Sequence, residues 1–361
     1  MHLMIVLVVI LLEAATGTAA EPGQAGRLEL VAGGGTGGDG ASAGQAKLVS
    51  PFGVGFDAGG TLFFVEMLGH RVRKIGPDGL VSTLAGTGRE GSGGDDGPAA
   101  GAELNGPHSL AVARNGDVFV ADTWNNRVRE IDARSGRITN VAGTGRKGFS
   151  GDGGPATQAD FGGIYCLALD ETAQTLDLAD LDNRRVRRVD LKTGIVSTVA
   201  GNGKKGLPAD GDDARSAPLV DPRAVALDGR GNLYILERSG HALRVVNRAG
   251  KIRTVAGTGK PGDSGDGGDA RQATLNGPKH LCVDARGNVL IADTENHRVR
   301  VYRAGDGTIQ RVAGTGRKGT KGLGGPPEDA DLDQPHGVTV GPGGILYIAD
   351  SSNNRILKIV P

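Results

Sequence analysis

Cysteine is almost missing from this chain: Cys166 and Cys282 are the two present in 361 residues. Two thiols cannot build a disulfide scaffold or a structural zinc site. Aromatic residues are also scarce, with seven Phe, four Tyr and one Trp, which is thin for a protein that stacks sugars or bases. Neither charge is in excess. With 41 basic and 41 acidic side chains the net charge is zero, so nothing global attracts nucleic acid or an anionic membrane. Long apolar runs are missing too. Leu3–Leu12 is ten apolar residues, half of what a bilayer span needs, and no window of the remaining chain sustains a helical period.

What the chain has is glycine, 64 residues, with 16 prolines. A collagen would show glycine at every third position, and a disordered chain would lack aliphatics. Here Val, Ile and Leu recur in short alternating runs. The Leu3–Leu12 run followed by Thr18-Ala19-Ala20 has the length and small residues of a signal peptide. Residues 1–20 are therefore expected to be cleaved, leaving residues 21–361 as one exported domain, secreted or periplasmic, with no membrane span. No cysteine lies near that run, which excludes a lipoprotein anchor.

Self-similarity decides the architecture. A short strand ending in Ala-Gly, or a close variant, recurs with its glycine at 33, 86, 143, 201, 257 and 314. Between these glycines a second pattern returns, as LNGPHSLAVARNGDVFVADTWNNRVREI from Leu104 and LNGPKHLCVDARGNVLIADTENHRVRVY from Leu275. Each unit reads as four strands of five or six alternating residues, divided by Asp/Asn/Gly turns. Four short antiparallel strands at this period predict an all-β, six-bladed β-propeller. The last blade lacks an outer strand of its own, and a surplus strand, Leu28–Ala32, stands at the other end. The ring is expected to close with that N-terminal strand in blade six.

The unit PxGVxxDxxGxLYxADxxNxRVRxI joined to TVAGTGxxGxxGDGGPA resembles the NHL repeat family, in the form seen in exported bacterial propellers. The resemblance implies a six-bladed propeller and leaves the activity open, because one fold serves many functions.

Several motifs read as architecture. GTGRKG at Gly143 fits a dinucleotide fingerprint, but FSGDGGPA follows it and cannot start the helix a phosphate cradle needs. The glycines of this and the other connectors are expected to supply positive φ. The Asp263–Asp269 stretch lacks the late Glu of a calcium loop and reads as a solvated turn. ADxxNxR recurs as Asp122/Asn125/Arg127, Asp180/Asn183/Arg185, Asp293/Asn296/Arg298 and Asp350/Asn353/Arg355. Its Asp is expected to face its Arg, with Asn in a left-handed turn position, as a blade fastening. Blades one and four depart from it together, with Glu66/Gly69 and Glu237/Gly240, too far apart across the ring to act as a pair.

One position varies from blade to blade. After the residue that opens each inner strand, the blades carry Phe52, His108, Tyr165, Arg223, Lys279 and His336. Strand direction puts this ring at the channel mouth, with Trp124 in a turn beside it, and makes the mouth the candidate ligand site. Arg223 and Lys279, with no acid in the ring, predict a positive field suited to an anionic small molecule or peptide end. Gluconolactonase-type propellers hold a divalent metal with Glu, Asn and Asp at the mouth, and none of these occupies the ring. Peptidylglycine-amidating lyases hold zinc with His after Pro in alternate blades. His108 and His336 match that pattern, but Arg223 stands where the third His belongs, so neither a metal nor another cofactor is expected. His280, one residue beyond the ring, is expected to point away from it. Cys166 and Cys282 are expected to pack in the interior. The sequence thus points to a monomeric binding scaffold for a ligand or partner protein. A metal-dependent lyase or hydrolase at the same mouth is the alternative.

Overall fold

A computed structural model describes residues 26–361; the expected signal segment, residues 1–20, lies outside them. Six antiparallel sheets follow one another along the chain. All six innermost strands line one central channel of about 330 Å³, which makes the molecule the expected six-bladed propeller.

Blade two shows how the sequence builds the unit. Its strands are Ser109–Val112, Val118–Asp122, Arg127–Ile131 and Arg137–Ala142. The two-residue strand Gly97–Pro98 from the connector adds to its outer edge. Along the second strand the side chains alternate between two neighbours. Val118 and Val120 pack with Phe63, Val65 and Val72 of blade one, whereas Phe119 and Ala121 pack with Leu167, Leu176 and Leu178 of blade three. Both faces are covered, so the whole strand is buried.

The ring closes as expected. Arg27–Gly33 pairs antiparallel with Arg355–Val360, Leu28 standing opposite Ile359. That register puts Leu28 into the apolar cluster between blades five and six, with Leu290, Val338 and Leu357. The free edge of this strand is covered in turn: Leu28 N–H donates to Gly325 O at 3.0 Å and its carbonyl accepts from Gly324 at 2.8 Å. A second tie joins neighbouring blades. The hydroxyls of Thr123, Thr294 and Ser351, each following a fastening Asp, donate to the opening carbonyl of the next blade, at Ile164, Pro335 and Pro51. The last of these joins blade six to blade one.

The fastening differs in detail from the sequence expectation. Asp122 accepts from Asn105 N–H at 2.7 Å and from Asn125 Nδ2 at 2.8 Å, so Asn125 serves as a donor. The left-handed residue is the next one, Asn126, with φ 51°. The arginine that goes into the core is not Arg127 but Arg129, fully buried, 3.8 Å from Asp122 and 2.7 Å from Asp95. Arg187 and Arg300 repeat this with Asp180 and Asp152, and with Asp293 and Asp266. Asp266 belongs to the loop expected to be a solvated turn. In the structure it anchors the connector to the arginine of the blade the connector leads into. In blade six, where Leu357 takes the deep position, Arg355 contacts Asp350 at 2.7 Å.

Blades one and four keep the fastening with altered parts. Glu66 and Glu237 are buried and accept from Val49 and Val220 N–H as the aspartates do. Each reaches its arginine directly, Arg73 at 3.3 Å and Arg244 at 2.7 Å. The longer side chain needs the room that Gly69 and Gly240 leave: a Cβ at either would stand 2.8 Å from the glutamate's Oε2. The connector glycine Gly143 is constrained differently. It has φ 96°, and a Cβ there would meet Asn126 O at 2.3 Å. The turn that follows is only the 3-10 segment Ala156–Gln158, so GTGRKG opens no helix.

Candidate functional site

Five of the six ring residues form a stack at one end of the channel that runs from blade six to blade four, with Lys279 of blade five outside it. His336 stacks on Phe52 with ring centroids 4.0 Å apart, and Phe52 meets the edge of His108 at 5.1 Å. His108 then meets Tyr165 at 4.8 Å, and the Arg223 guanidinium lies 4.3 Å over the Tyr165 ring. Trp124, 45 % exposed, reaches the outer side of this stack at 5.8 Å from His108. Part of the geometry comes from backbone. In blades one, three, four and six the pairing with the second strand slips by one residue at this position. A β-bulge of this kind re-aims a side chain.

The charge at the mouth is narrower than the sequence suggests. Lys279 is paired with Glu295 at 2.8 Å, which corrects the expectation that no acid balances the ring. Glu295 occupies the same turn position in blade five that Trp124 occupies in blade two. That equivalence was the available signal for it. The histidines carry no charge. His108 donates from Nδ1 to Gly106 O at 2.7 Å, and His336 to Gln334 O at 2.8 Å. Burial, with the Arg223 charge, pushes His108 down to about 3; burial, with Lys279 and Arg223, holds His336 well below the ordinary imidazole value.

Arg223 is therefore the cation that remains. It is 5 % exposed, and burial lowers it to about 10. Asp221, the nearest acid in sequence, spends its oxygens on Ser239, Gly240 and Arg238. Among the described residues no carboxylate or carbonyl oxygen lies within hydrogen-bonding or ion-pairing reach of the Arg223 guanidinium. A buried guanidinium without an acceptor is a costly arrangement unless something supplies one.

Below the ring the channel is lined by inner-strand residues, His280 among them. His280 leaves the ring layer, but it does not turn away from the channel. It lines the cavity beside Cys166 and Cys282, and its Nδ1 accepts from Val338 N–H at 3.4 Å. Burial and Arg223 push it down to about 4. Cys166 is buried with its thiol 3.5 Å from Val225 O, and burial pushes the Cys282 thiol up to about 12.

These residues do not fit a catalytic zinc. Phe52 is packed against both candidate ligands, His108 and His336, each of which has committed one ring nitrogen to a carbonyl. Arg223 stands in place of the third ligand. No group of three or more His, Cys, Asp or Glu able to hold a metal occurs among the described residues. No helix there is long and apolar enough to cross a membrane.

The sequence matches the teneurin NHL domain over residues 96–263 and the NHL repeat over 275–302 and 332–359. The chain belongs to the NHL repeat family. This NHL propeller is 28 % identical to mouse teneurin-3 over 308 residues, which is 78 % of this chain and 11 % of teneurin-3. The chain spans less than half the length of the curated relatives it matches. Among solved structures it superposes on an auxiliary nutrient binding protein of Bacteroides thetaiotaomicron with a TM-score of 0.68 at 15 % identity, covering 92 % of this chain and 76 % of that one. A gluconolactonase from Xanthomonas campestris superposes with a TM-score of 0.57 at 13 % identity, covering 93 % and 89 %. At such identities the two structures share the fold with this NHL propeller, and the fold alone.

The protonation state of the mouth is directly testable. An unfolded histidine protonates near 6.5, whereas folded His108 does so near 3. The unfolded state therefore binds the proton first, and this contribution to stability is lost as the pH falls from about 6.5 toward about 3. Asp122, Asp180 and Asp293, pushed up to about 6 chiefly by burial, act with the opposite sign: they favour the fold at low pH and lose that contribution as the pH rises through about 6. A melting curve sums both, so the decisive readout is histidine ring NMR. His108 and His336 are expected to stay neutral from pH 8 to 5, and to titrate higher in Arg223→Ala. A wild-type midpoint near 6.5 for either ring would show that the mouth is solvated.

Proposed function

We propose that this NHL propeller is an exported binding scaffold whose channel mouth takes the anionic end of a small molecule or peptide, without chemistry. The observation that carries the reading is the buried, unpartnered guanidinium of Arg223 over the Tyr165 ring. A carboxylate or similar group would supply its missing acceptors through charge-assisted hydrogen bonds, while Phe52, Tyr165 and Trp124 offer apolar surface to the rest of the ligand. Lys279, already paired with Glu295, contributes less. The nutrient-binding neighbour is consistent with a scaffold role. Export rests on the N-terminal apolar segment.

The test is calorimetric titration with mono- and dicarboxylates and with one peptide in free-acid and amidated forms. A ligand that binds the wild type is expected to bind Arg223→Ala at least about tenfold more weakly, the loss of one or two hydrogen bonds to a charged group. Lys279→Ala is expected to lose less. Equal responses of wild type and Arg223→Ala to every anion would remove the mouth as the binding surface.

A further inference from the structure

On the face away from the mouth, among the hairpin turns of blades two and three, lies a groove of about 680 Å³. Its apolar wall includes Phe119 and Val141 from blade two and Leu169 and Val189 from blade three, and Glu130 stands among them.

The position of Glu130 can be compared in every blade, because each third strand pairs in register with the second. The cross-strand pairs are Phe63–Lys74, Phe119–Glu130, Asp177–Arg188, Tyr234–Val245, Leu290–Val301 and Tyr347–Lys358. Glu130 is the acid at its third-strand position. Where blade three has an acid in the pair, on the second strand, it also has the counter-charge: Arg188 holds Asp177 with two contacts of 2.7 Å. Glu130 has none. Among the described residues no cation and no donor lies within hydrogen-bonding or ion-pairing reach of its carboxylate. Desolvation and the nearby charges of Asp117 and Asp132 raise its pKa, so the local field is negative. Asn140 lines the same groove without offering it an open acceptor. Its Nδ2 donates to Gly143 O at 2.9 Å, and its Oδ1 is buried without a donor. The cation at the rim, Arg114, is 90 % exposed and engaged with Glu171 at 3.0 Å.

A carboxylate without a donor, set against an apolar wall, is the complement of an ammonium group on an apolar body. We propose that this groove is a second ligand site, specific for a small alkylammonium compound whose nitrogen donates to Glu130 while its chain lies on Phe119 and Val141. The site is independent of the channel mouth in both residues and sign of charge.

The experiment titrates the full chain with n-hexylammonium, and with n-hexanol and hexanoate as partners of the same body that lack the positive charge. Binding is read by calorimetry and by saturation transfer from the protein to the ligand. The wild type is expected to bind hexylammonium saturably and the other two at least about tenfold more weakly. Glu130→Gln, which keeps the shape and removes the charge, is expected to lose hexylammonium binding by the same factor while melting no lower than the wild type. Arg223→Ala is expected to bind hexylammonium as the wild type does. Equal affinity in Glu130→Gln, equal affinity for hexanol, or no saturable binding to the wild type would overturn the proposal.

Discussion

A chain begun at Gly35 is expected to melt far below one that keeps Arg27–Gly33. Without that strand the outer edge of blade six, Arg355–Val360, loses its ladder. The cluster that holds Leu290, Val338 and Leu357 also loses Leu28, which is fully buried there. Truncating a single buried leucine to alanine costs about 2–5 kcal/mol, so Leu28→Ala alone is expected to fall in that range. The deletion removes this together with the backbone ladder and exposes an unpaired edge of blade six. Two measurements check it. Thermal unfolding of the truncated chain gives the size of the effect. A synthetic peptide covering residues 26–36, added in trans, is expected to raise the melting temperature as a ligand of the folded form does. If the truncated chain melts with the full one, the ring does not depend on its closing strand.

The second large effect is expected at Arg129. Its guanidinium is fully buried, donates to Glu103 O at 2.8 Å and Gly93 O at 3.1 Å, and lies among the carboxylates of Asp122 and Asp95. Arg129→Ala leaves Glu103 O without that donor and Asp122 buried with only Arg127 as counter-charge, 4.0 Å away. Breaking a buried pair from one side costs about 3–5 kcal/mol. Arg127→Ala, two residues away, is expected to cost less, about 1.5–3 kcal/mol, because its side chain keeps some solvent and both of its acid partners retain Arg129. The check is denaturant unfolding of both variants, with Arg300→Ala as the same experiment in blade five. Equal losses for Arg127 and Arg129 would mean that the depth of the arginine does not matter.

Those two arginines also show where sequence reading stops. They are two residues apart on one strand, so period-two alternation places them on the same face. Their difference is depth, which only the packed connector decides. The left-handed residue was misplaced for a similar reason. Both Asn125 and Asn126 suit a turn, and the choice follows from the Nδ2 of Asn125 being needed by Asp122. Glu66 with Gly69 and Glu237 with Gly240 were legible as paired departures, but not as a preserved fastening. That conclusion needs the extra methylene of Glu and the missing Cβ of Gly to be seen filling one space.

At the mouth the ring residues were legible because they are the variable position in an otherwise repeating unit, and the structure brings five of the six into one stack. Their charges were not legible. Glu295 lies in a turn 16 residues along the chain from Lys279 and acts on it only because the second hairpin folds back over the ring. His108 and His336 can ionise by residue type, and desolvation keeps them neutral. Glu130 gave no signal at all, since a Glu among strand residues is ordinary until the register shows that nothing stands opposite its charge.

The sequence by itself determined the repeat, the count of blades, the alternation that buries both faces of each strand, and the closing strand, because all of these are local patterns multiplied six times. The tertiary structure alone decided which arginine goes deep, which ring charge is cancelled, and which polar groups are left without a partner. Those properties depend on burial and on contacts between segments far apart in the chain, where the dielectric falls and an acceptor within reach outweighs residue type.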